Sequence, residues 1–361
     1  MSKKKRIPSF YEVSIEKQGE ERPFSRGEIT TLLNYIGIEL TPALKIATRV
    51  KRELIKKKNV NKKTGQYSIS SVELGHTIKD KLLEAEENGV ISPGDQFPEK
   101  YIFWRNVRNL REPMLILVGG ATAVGTTSIG RSLENKLNFI VQSGTNPFMY
   151  ELKGMFNIVM TDHIRDTMRG FAEAYPTRRK LEELFVSTYE AGKLKGKGNS
   201  REIIDGFIRQ TEMIETGLDT IIENDILYRG SSLIVEGIHL IPGYLNKVYS
   251  TFLNSDIQDY SFHFHVDIPD EQVHQARLGD RESETTLRGR KDYLGKYDEI
   301  RMIKDYLLSQ AQVTEIPIIS NSELNEIEHK YVSSQIMNHI FERLRYSDRY
   351  DIRKGDIHIK K

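Results

Sequence analysis

The chain has 361 residues, of which 38% are hydrophobic, and its 53 basic and 51 acidic side chains leave a formal net charge of +2. This near balance gives no general reason to expect nucleic acid or membrane as a partner, and the absence of cysteine excludes disulfides and thiolate metal sites. The apolar runs are far below the roughly 20 residues of a spanning helix, no signal-peptide pattern follows the basic N-terminus, and the length favours two domains. We therefore expect a two-domain cytoplasmic protein.

Residues 1–92 have the pattern of a small, mainly helical domain. A strand is predicted near Val13, before the first helical pattern. Apolar residues at helical spacing, together with a capping sequence before the last segment, predict helices at 26–38, 41–57 and 71–85. The turn residues Pro93 and Gly94 then open a predicted linker over residues 93–112.

From residue 113 onward, short apolar runs alternate with helical patterns, which is typical of an α/β domain with a mostly parallel, doubly wound sheet. We expect this domain to span 113–345 and to be followed by a basic C-terminal tail, 346–361. The predicted strands are 114–118, 156–161, 232–236, 261–266 and 316–319. The first of these strands leads into a glycine-rich segment and then into a helix.

The glycine-rich segment has the spacing of a phosphate-binding P-loop, whose backbone N–H groups cradle phosphates at a helix N-terminus. Thr126 replaces the lysine that normally follows the second glycine, so the loop keeps its cradle and loses its point charge. The hydroxyl of Thr127 is the expected Mg²⁺ ligand. The candidate nucleotide-binding residues are Gly120, Ala121, Thr122, Ala123, Val124, Gly125, Thr126, Thr127 and Ser128.

Asp162 follows the second predicted strand, and at the carboxyl edge of a parallel sheet it would lie beside the phosphate loop. Arg165 and Arg169 follow it on one helical face. A carboxylate that orients a hydroxyl, with guanidinium groups that hold a substrate anion, is typical of the acceptor site of a kinase. The alternative is that Asp162 caps a helix and that both arginines are solvated.

Glu236 ends the third predicted strand. In P-loop proteins, an acidic residue at this place binds Mg²⁺ or a water of the ion, so Thr127 and Glu236 form the candidate metal site. The alternative is a carboxylate that only caps neighbouring backbone groups.

A dense cationic segment late in the chain contains Arg277, Arg281, Arg288, Arg290 and Lys291. In a small-molecule kinase this pattern is typical of a lid, and its charge is a candidate substitute for the missing lysine. Arg277 and Arg281, one helical turn apart, are the catalytic candidates. The alternatives are a solvated basic helix balanced by nearby acidic residues, and a contribution from the lysines of the loop at 193–197.

A set of short motifs in residues 113–344 has the pattern of one known family. It comprises Gly119 to Thr127, Thr161-Asp162, Ile164-Arg165, Met168-Arg169, Ser187, Tyr189, Ala191, Gly206-Phe207, Gln210, Val235 to His239, Ile241 to Gly243, Arg277, Arg281, Tyr293-Leu294 and Asp305-Tyr306. Through these motifs, residues 113–344 resemble the archaeal 2-phosphoglycerate kinases. The resemblance implies a P-loop kinase that uses ATP and Mg²⁺ to convert 2-phosphoglycerate into 2,3-bisphosphoglycerate, in the synthesis of cyclic 2,3-diphosphoglycerate. It includes Thr126 in place of the lysine, and it makes Arg281 the first choice among the lid residues.

The N-terminal domain has a second pattern, formed by Val13, Lys17, Gly19, Pro23, Phe24, Arg26, Ile29, Ala47, Val50, Ser71, Glu73 and Leu74. With these residues the domain resembles the ATP-cone, a nucleotide-binding regulatory module, and the resemblance implies a regulatory nucleotide. In that family a basic residue usually stands at the position of Gln18, so a structural domain without a ligand is the alternative.

Residues 138–157 depart from the family as an insertion near the expected substrate mouth. The insertion is either an inert surface loop or a segment that changes the acceptor, so the acceptor stays open. Besides a small phospho-acid such as 2-phosphoglycerate, the acceptor could be a nucleoside or another phospho-acid. A further alternative is a non-catalytic nucleotide sensor. We favour a kinase because a sensor would not need Asp162, Glu236 and the lid arginines together.

Overall fold

The computed structural model describes residues 13–17, 20–56, 67–107, 113–143, 155–174, 181–194, 199–251, 255–284, 292–322, 326–345, 350–351 and 358–359. The chain divides into two compact units. The first contains Met1–Leu110, Lys136–Leu152 and Phe341–Lys361, and the second contains Arg111–Asn135 and Lys153–Ile340. The domain boundaries expected from the sequence stay predictions.

Among the described residues, the Met1–Leu110 part of the first unit holds a small sheet and four α-helices. Strand β1 (Val13–Lys17) pairs antiparallel with β2 (Glu20–Pro23) and parallel with β3 (Tyr67–Ser70). The three predicted helices are confirmed as α1 (Arg26–Tyr35), α2 (Leu40–Lys56) and α3 (Ser71–Glu87). The hydroxyl of Ser70 caps α3 by accepting a hydrogen bond of 3.1 Å from the Glu73 N–H.

A fourth helix, α4 (Phe97–Asn106), lies inside the segment that the sequence predicts as a linker. Its start is hidden in the sequence because Pro98, which reads as a turn residue, is tolerated in the first turn of a helix. The aromatic side chains of Phe103 and Trp104 are buried, and they pack edge to face with ring centroids 4.9 Å apart.

The second unit is built on a five-stranded, all-parallel sheet, which confirms the α/β class. In chain order its strands are β4 (Leu115–Gly119), β5 (Phe156–Met160), β6 (Ser232–Gly237), β7 (Ser261–Asp267) and β8 (Ile318–Ser320). The spatial order is β5-β6-β4-β7-β8. Each predicted strand agrees with an observed one to within two residues, because a buried parallel strand is a short continuous apolar run.

Helices connect and cover these strands. They are α5 (Thr126–Ser143), α6 (Thr161–Ala174), α7 (Ser200–Ile222), α8 (Tyr244–Thr251), α9 (Ser255–Gln258), α10 (Glu271–Glu284), α11 (Tyr297–Val313) and α12 (Glu326–Arg345). No helix among the described residues is long and apolar enough to cross a membrane. In the segment predicted as a tail, β9 (Tyr350–Asp351) pairs antiparallel with β10 (His358–Ile359).

The strand order places the functional edge of the sheet. After β4 the chain builds β5 and β6 on one side, and it then crosses to the other side of β4 to build β7 and β8. The carboxyl ends of β4, β6 and β7 therefore meet where the direction of winding reverses, which is where open α/β sheets bind their ligands.

One face of β7 carries two histidines in the interior. His263 and His265 are two residues apart in the strand and therefore share a face. Neither ring nitrogen of His265 has a hydrogen-bond partner within the described residues. Burial lowers the pKa of His263 to about 3, and His265 adds to that effect. Burial lowers the pKa of His265 to about 4, although the nearby Asp267 opposes the shift. Both imidazoles are therefore neutral in the folded protein at neutral pH.

We predict that the free energy of unfolding decreases as the pH falls below about 6.5, the ordinary pKa of histidine. In the unfolded chain these histidines bind protons there, while in the folded chain they stay neutral until about pH 4 for His265 and about pH 3 for His263. Each contributes a slope of about 1.4 kcal/mol per pH unit. Urea unfolding at several pH values measures the free energy of unfolding and hence this slope.

His265→Gln should remove about one proton from the pH slope. An unchanged slope in His265→Gln would contradict the assignment of a neutral, buried His265.

Candidate active site

The P-loop follows β4 in a backbone path that favours glycine. A Cβ atom on Gly119 would lie 2.8 Å from the Leu240 carbonyl oxygen, and a Cβ on Gly120 would lie 2.7 Å from the Val266 carbonyl oxygen. Gly125 has a φ of 96°, in the left-handed region where glycine carries no steric penalty. Ala123 also lies in that region, with a φ of 64°. The loop therefore passes close to its neighbours and then turns sharply into α5.

Carbonyl oxygens of the loop are held by side chains from distant parts of the unit. His274 Nε2 lies 2.9 Å from the Thr122 oxygen, and Asn321 Nδ2 donates to the Val124 oxygen at 2.7 Å. Arg277 Nη1 also donates to the Val124 oxygen, at 3.3 Å. These contacts fix the loop, and the first N–H groups of α5, which have no acceptor within the helix, remain suited to phosphate oxygens.

A cavity of about 570 Å³ opens at this edge of the sheet. Every predicted nucleotide-binding residue except Gly120 and Val124 contributes to its lining. The catalytic and metal candidates Asp162, Arg277, Arg281 and Glu236 line it too, as does Arg165. Further lining residues without a predicted role are Thr188, Gly237, Ile238, Asp280, Ser187, Tyr189 and Tyr293.

Glu236 lies at the centre of the charged residues. It is buried at the end of β6, and its Oε1 accepts a hydrogen bond of 2.9 Å from the Thr127 hydroxyl. Burial raises the pKa of Glu236, the hydroxyls of Thr126 and Thr127 oppose the rise, Asp162 adds to it and Arg281 opposes it. The cavity thus brings Asp162, Arg281 and the P-loop hydroxyls close to one buried carboxylate.

Asp162 and Arg165 form the first turn of α6. The side chain of Asp162 is half exposed, and its Oδ1 lies 3.5 Å from Nη2 of Arg165. Arg165 is only 7% exposed, and its Nε has no hydrogen-bond partner among the described residues. A buried guanidinium with an unused donor is costly, so this position suits a bound anion.

Arg169 is placed differently from Arg165. Its Nε donates to the Leu184 carbonyl, and its Nη1 lies 3.0 Å from Asp166 Oδ1. It does not line the P-loop cavity but a second cavity of about 540 Å³, which it shares with Arg165 and Ser187. Arg165 and Ser187 line both cavities, so the two spaces adjoin at these residues.

The lid candidates are only partly within the described residues. Arg277 bonds the P-loop as described above, and the guanidinium carbon of Arg281 lies 5.7 Å from the ring centroid of Tyr293. The rings of Tyr293 and Tyr189 are 6.4 Å apart. Arg288, Arg290 and Lys291 lie outside the described residues. Lys193, a member of the alternative lysine-rich loop, pairs with Glu299 at 2.8 Å.

Sequence reasoning did not find the residues that hold the loop. His274 lies on the same helical face as Arg277 and Arg281, at three-residue and seven-residue spacing, so the spacing was a usable signal. Asn321 directly follows β8, again at the carboxyl edge of the sheet. Gln210 and His239 belong to the family resemblance but had no role assigned to them.

No protein-family profile matches the chain. It is 30% identical to the 2-phosphoglycerate kinase of Methanopyrus kandleri over 332 residues, which cover 90% of this chain and 88% of that protein. It is 30% identical to the 2-phosphoglycerate kinase of Pyrococcus furiosus over 91% of this chain and 93% of the relative, and 28% identical to that of Methanocaldococcus jannaschii over 92% and 93%. Because the similarity extends over nearly the whole length of the relatives, the chain belongs to the 2-phosphoglycerate kinase family.

Proposed function

We propose that this protein transfers the γ-phosphoryl group of ATP to the free hydroxyl of 2-phosphoglycerate, which yields 2,3-bisphosphoglycerate and ADP. The observation that carries the proposal is the single cavity in which the P-loop meets Asp162, Arg165, Arg281 and Glu236. An anion-binding helix N-terminus, a carboxylate for a hydroxyl and guanidinium groups for a phospho-acid are the parts that such a transfer needs. The family of the chain supports the same reaction.

The nucleotide would bind with its phosphates at the N-terminus of α5. Thr127 and Glu236 fit Mg²⁺, because a hydroxyl and a buried carboxylate 2.9 Å apart present the hard oxygen ligands that this ion prefers. When bound, the ion neutralises charge on the phosphates. The described residues contain no cluster of three or more histidine or acidic side chains able to hold a metal, so the remaining ligands would be water and phosphate oxygens.

Asp162 would orient the acceptor. In the transfer, the hydroxyl oxygen of the acceptor forms a bond to the γ-phosphorus while the bond from that phosphorus to the leaving oxygen of ADP breaks. The hydroxyl proton passes to the carboxylate of Asp162 and from there to solvent. Arg165, with its unused Nε donor beside the cavity, would hold the phosphate or carboxylate of the acceptor.

Arg169 would contribute to the acceptor site from the second cavity. Its hydrogen bond to the Leu184 carbonyl ties α6 to the segment that carries Ser187, which lines both cavities. Its role in holding the substrate is therefore less direct than that of Arg165.

The choice of acceptor is tested by ADP release with 2-phosphoglycerate, 3-phosphoglycerate, glycerate and nucleosides. We expect 2-phosphoglycerate to give the highest kcat/KM. A higher kcat/KM for a nucleoside would show that the acceptor is a nucleoside and not 2-phosphoglycerate. If no acceptor raises ADP release above the background, the protein is a nucleotide sensor and the proposed reaction is wrong.

Asp162→Asn should lower kcat by about 10²-fold or more while ATP still binds, as expected for the loss of a positioned acid–base group. Steady-state kinetics and equilibrium titration with ATP measure the two effects. Glu173→Gln, at an exposed acidic position on the same helix, is the matched control and should leave both values unchanged. Near-normal turnover in Asp162→Asn would reduce this residue to a helix cap.

Arg281 is our candidate for the charge that the P-loop lacks. It lines the cavity, and it is close enough to Glu236 to oppose the rise in the pKa of that carboxyl. Arg277, by contrast, is bonded to the P-loop backbone. Its substitution should therefore act mainly through the geometry of the loop.

Arg281→Ala should lower kcat and kcat/KM together by about 10²-fold, because its charge would act mainly in the transition state. The control is Arg201→Ala, since the side chain of Arg201 is 91% exposed on α7. A loss within about threefold in Arg281→Ala, roughly 0.7 kcal/mol, would exclude this residue. Arg277→Ala, Arg288→Ala and Arg290→Ala would then be tested in the same assay.

A further inference from the structure

Three fully buried polar side chains from separate elements form one continuous set of hydrogen bonds. His239, which follows β6, lies with its Nδ1 3.0 Å from the hydroxyl of Thr161 and its Nε2 3.3 Å from Oε1 of Gln210. Thr161 is the first residue of α6 and Gln210 lies in the middle of α7. All three side chains are 0% exposed. Together they form a polar bridge across the interior of the second unit.

The direction of every hydrogen bond in the polar bridge follows from its Gln210 end. Nε2 of Gln210 donates to the carbonyl oxygens of Glu183 and Val186, the latter at 3.1 Å. Its Oε1 must then accept, so Nε2 of His239 carries a hydrogen. Burial lowers the pKa of His239 to about 3, so the ring is neutral and its Nδ1 accepts the hydroxyl hydrogen of Thr161. One tautomer of His239 thus satisfies all the partners.

Each end of the polar bridge contacts a part of the chain that adjoins residues lining the cavity. Val186 directly precedes the acceptor segment, residues 187–190, and Glu183 lies four residues before it. Ser187, Thr188 and Tyr189 of this segment line the cavity. Thr161 directly precedes Asp162. It also packs against Gly237, where an added Cβ would lie only 2.0 Å from the Thr161 hydroxyl oxygen, and Gly237 follows Glu236.

The interior of the second unit could be filled by apolar side chains alone, so packing does not explain the polar bridge. The hydrophobic core of the same unit includes Ile214, Leu218 and Val235, and apolar residues in place of the bridge would avoid the cost of burying polar atoms. A fully satisfied buried network, however, defines one relative placement of the elements that it joins, which apolar contacts do not. None of its members lines the P-loop cavity.

We propose that Gln210, His239 and Thr161 are positioning residues that set the acceptor segment relative to Asp162. The identity of the acceptor is taken from the proposed function. The claim that the polar bridge sets the acceptor segment relative to Asp162 does not depend on that identity. Breaking the polar bridge should displace the wall on which the acceptor rests and leave the P-loop, which is held by His274 and Asn321, unchanged. The defect should therefore appear in the use of the acceptor and not in the affinity for ATP.

Thr161→Val removes the hydroxyl at constant shape, and Gln210→Met breaks the other end of the polar bridge. Each variant should lower kcat/KM for 2-phosphoglycerate by about 10-fold or more, while the Kd for ATP stays within about twofold. Thr161→Ser, which keeps the hydroxyl, should recover most of the loss. The double variant should be no worse than the more affected single variant, because both break one network.

The matched control is Thr211→Val. Thr211 is also 0% exposed, it lies next to Gln210 on α7, and its hydroxyl has no hydrogen-bond partner among the described residues. Its substitution should leave the kinetics unchanged. Equal loss in Thr211→Val, additive losses in the double variant, or a parallel loss of ATP affinity would overturn the proposal.

Hydrogen exchange in the ligand-free protein separates this proposal from the proposed function. The Glu190 N–H donates to the Ser187 carbonyl at 2.8 Å, so its exchange reports on the acceptor segment. Thr161→Val should accelerate that exchange although residue 161 is far away in the sequence, and Thr211→Val should not. This result would stand even if 2-phosphoglycerate proved to be the wrong acceptor. Unchanged exchange in both Thr161→Val and Gln210→Met would overturn the polar bridge as a positioning device.

Discussion

The geometry of the site depends on the close packing of the β4 backbone and its loop against neighbouring backbone. The Leu240 and Val266 carbonyl oxygens approach Gly119 and Gly120 so closely that a Cβ on either glycine would lie less than 3 Å from them. With no side chains in the way, the loop runs beside the ends of β6 and β7. This proximity brings Glu236 within hydrogen-bonding distance of Thr127, and it allows His274 and Asn321 to reach the loop carbonyls.

The absence of the P-loop lysine changes how charge is distributed over the cavity. In this chain position 126 is a buried threonine, whose hydroxyl lies beside Glu236. The arginines that line the cavity stand on separate helices, Arg165 on α6 and Arg277 and Arg281 on α10. A charge on a separate helix can approach the phosphates from a different direction than a charge on the loop itself. A charged side chain on a separate helix can also contact other residues of the cavity, as Arg281 contacts the ring of Tyr293.

Features that depend only on residues close together in the sequence could be predicted from the sequence. The five strands of the sheet and the P-loop follow from local apolar runs and glycine spacing, and Asp162 and Glu236 follow from their positions at strand ends. The helix α4 was hidden by Pro98. Arg165 and Arg169 look equivalent by helical spacing, yet only the folded chain shows that Arg169 bonds the Leu184 carbonyl and lines a different cavity.

Contacts that join distant parts of the chain could not be read in this way. His274 and Asn321 are separated from the loop by more than a hundred residues. Helical spacing groups His274 with Arg277 and Arg281, but no local pattern reports that it contacts a carbonyl of the loop. The polar bridge likewise joins Thr161, Gln210 and His239, whose types alone suggest ordinary surface residues. Burial makes these side chains informative, because a buried polar group needs a partner.

The hydrogen bond from Asn321 to the Val124 carbonyl has a consequence for biosynthesis. A growing polypeptide exposes the glycine-rich loop early, but its outer support arrives only once residue 321 has emerged and β8 has joined the sheet. Until then, a nucleotide has no fully shaped cradle and gives little stabilisation to the partly made domain, because a ligand stabilises only the state that binds it. If the supported loop holds the nucleotide, as proposed, then binding follows the completion of β8, the last strand of the sheet.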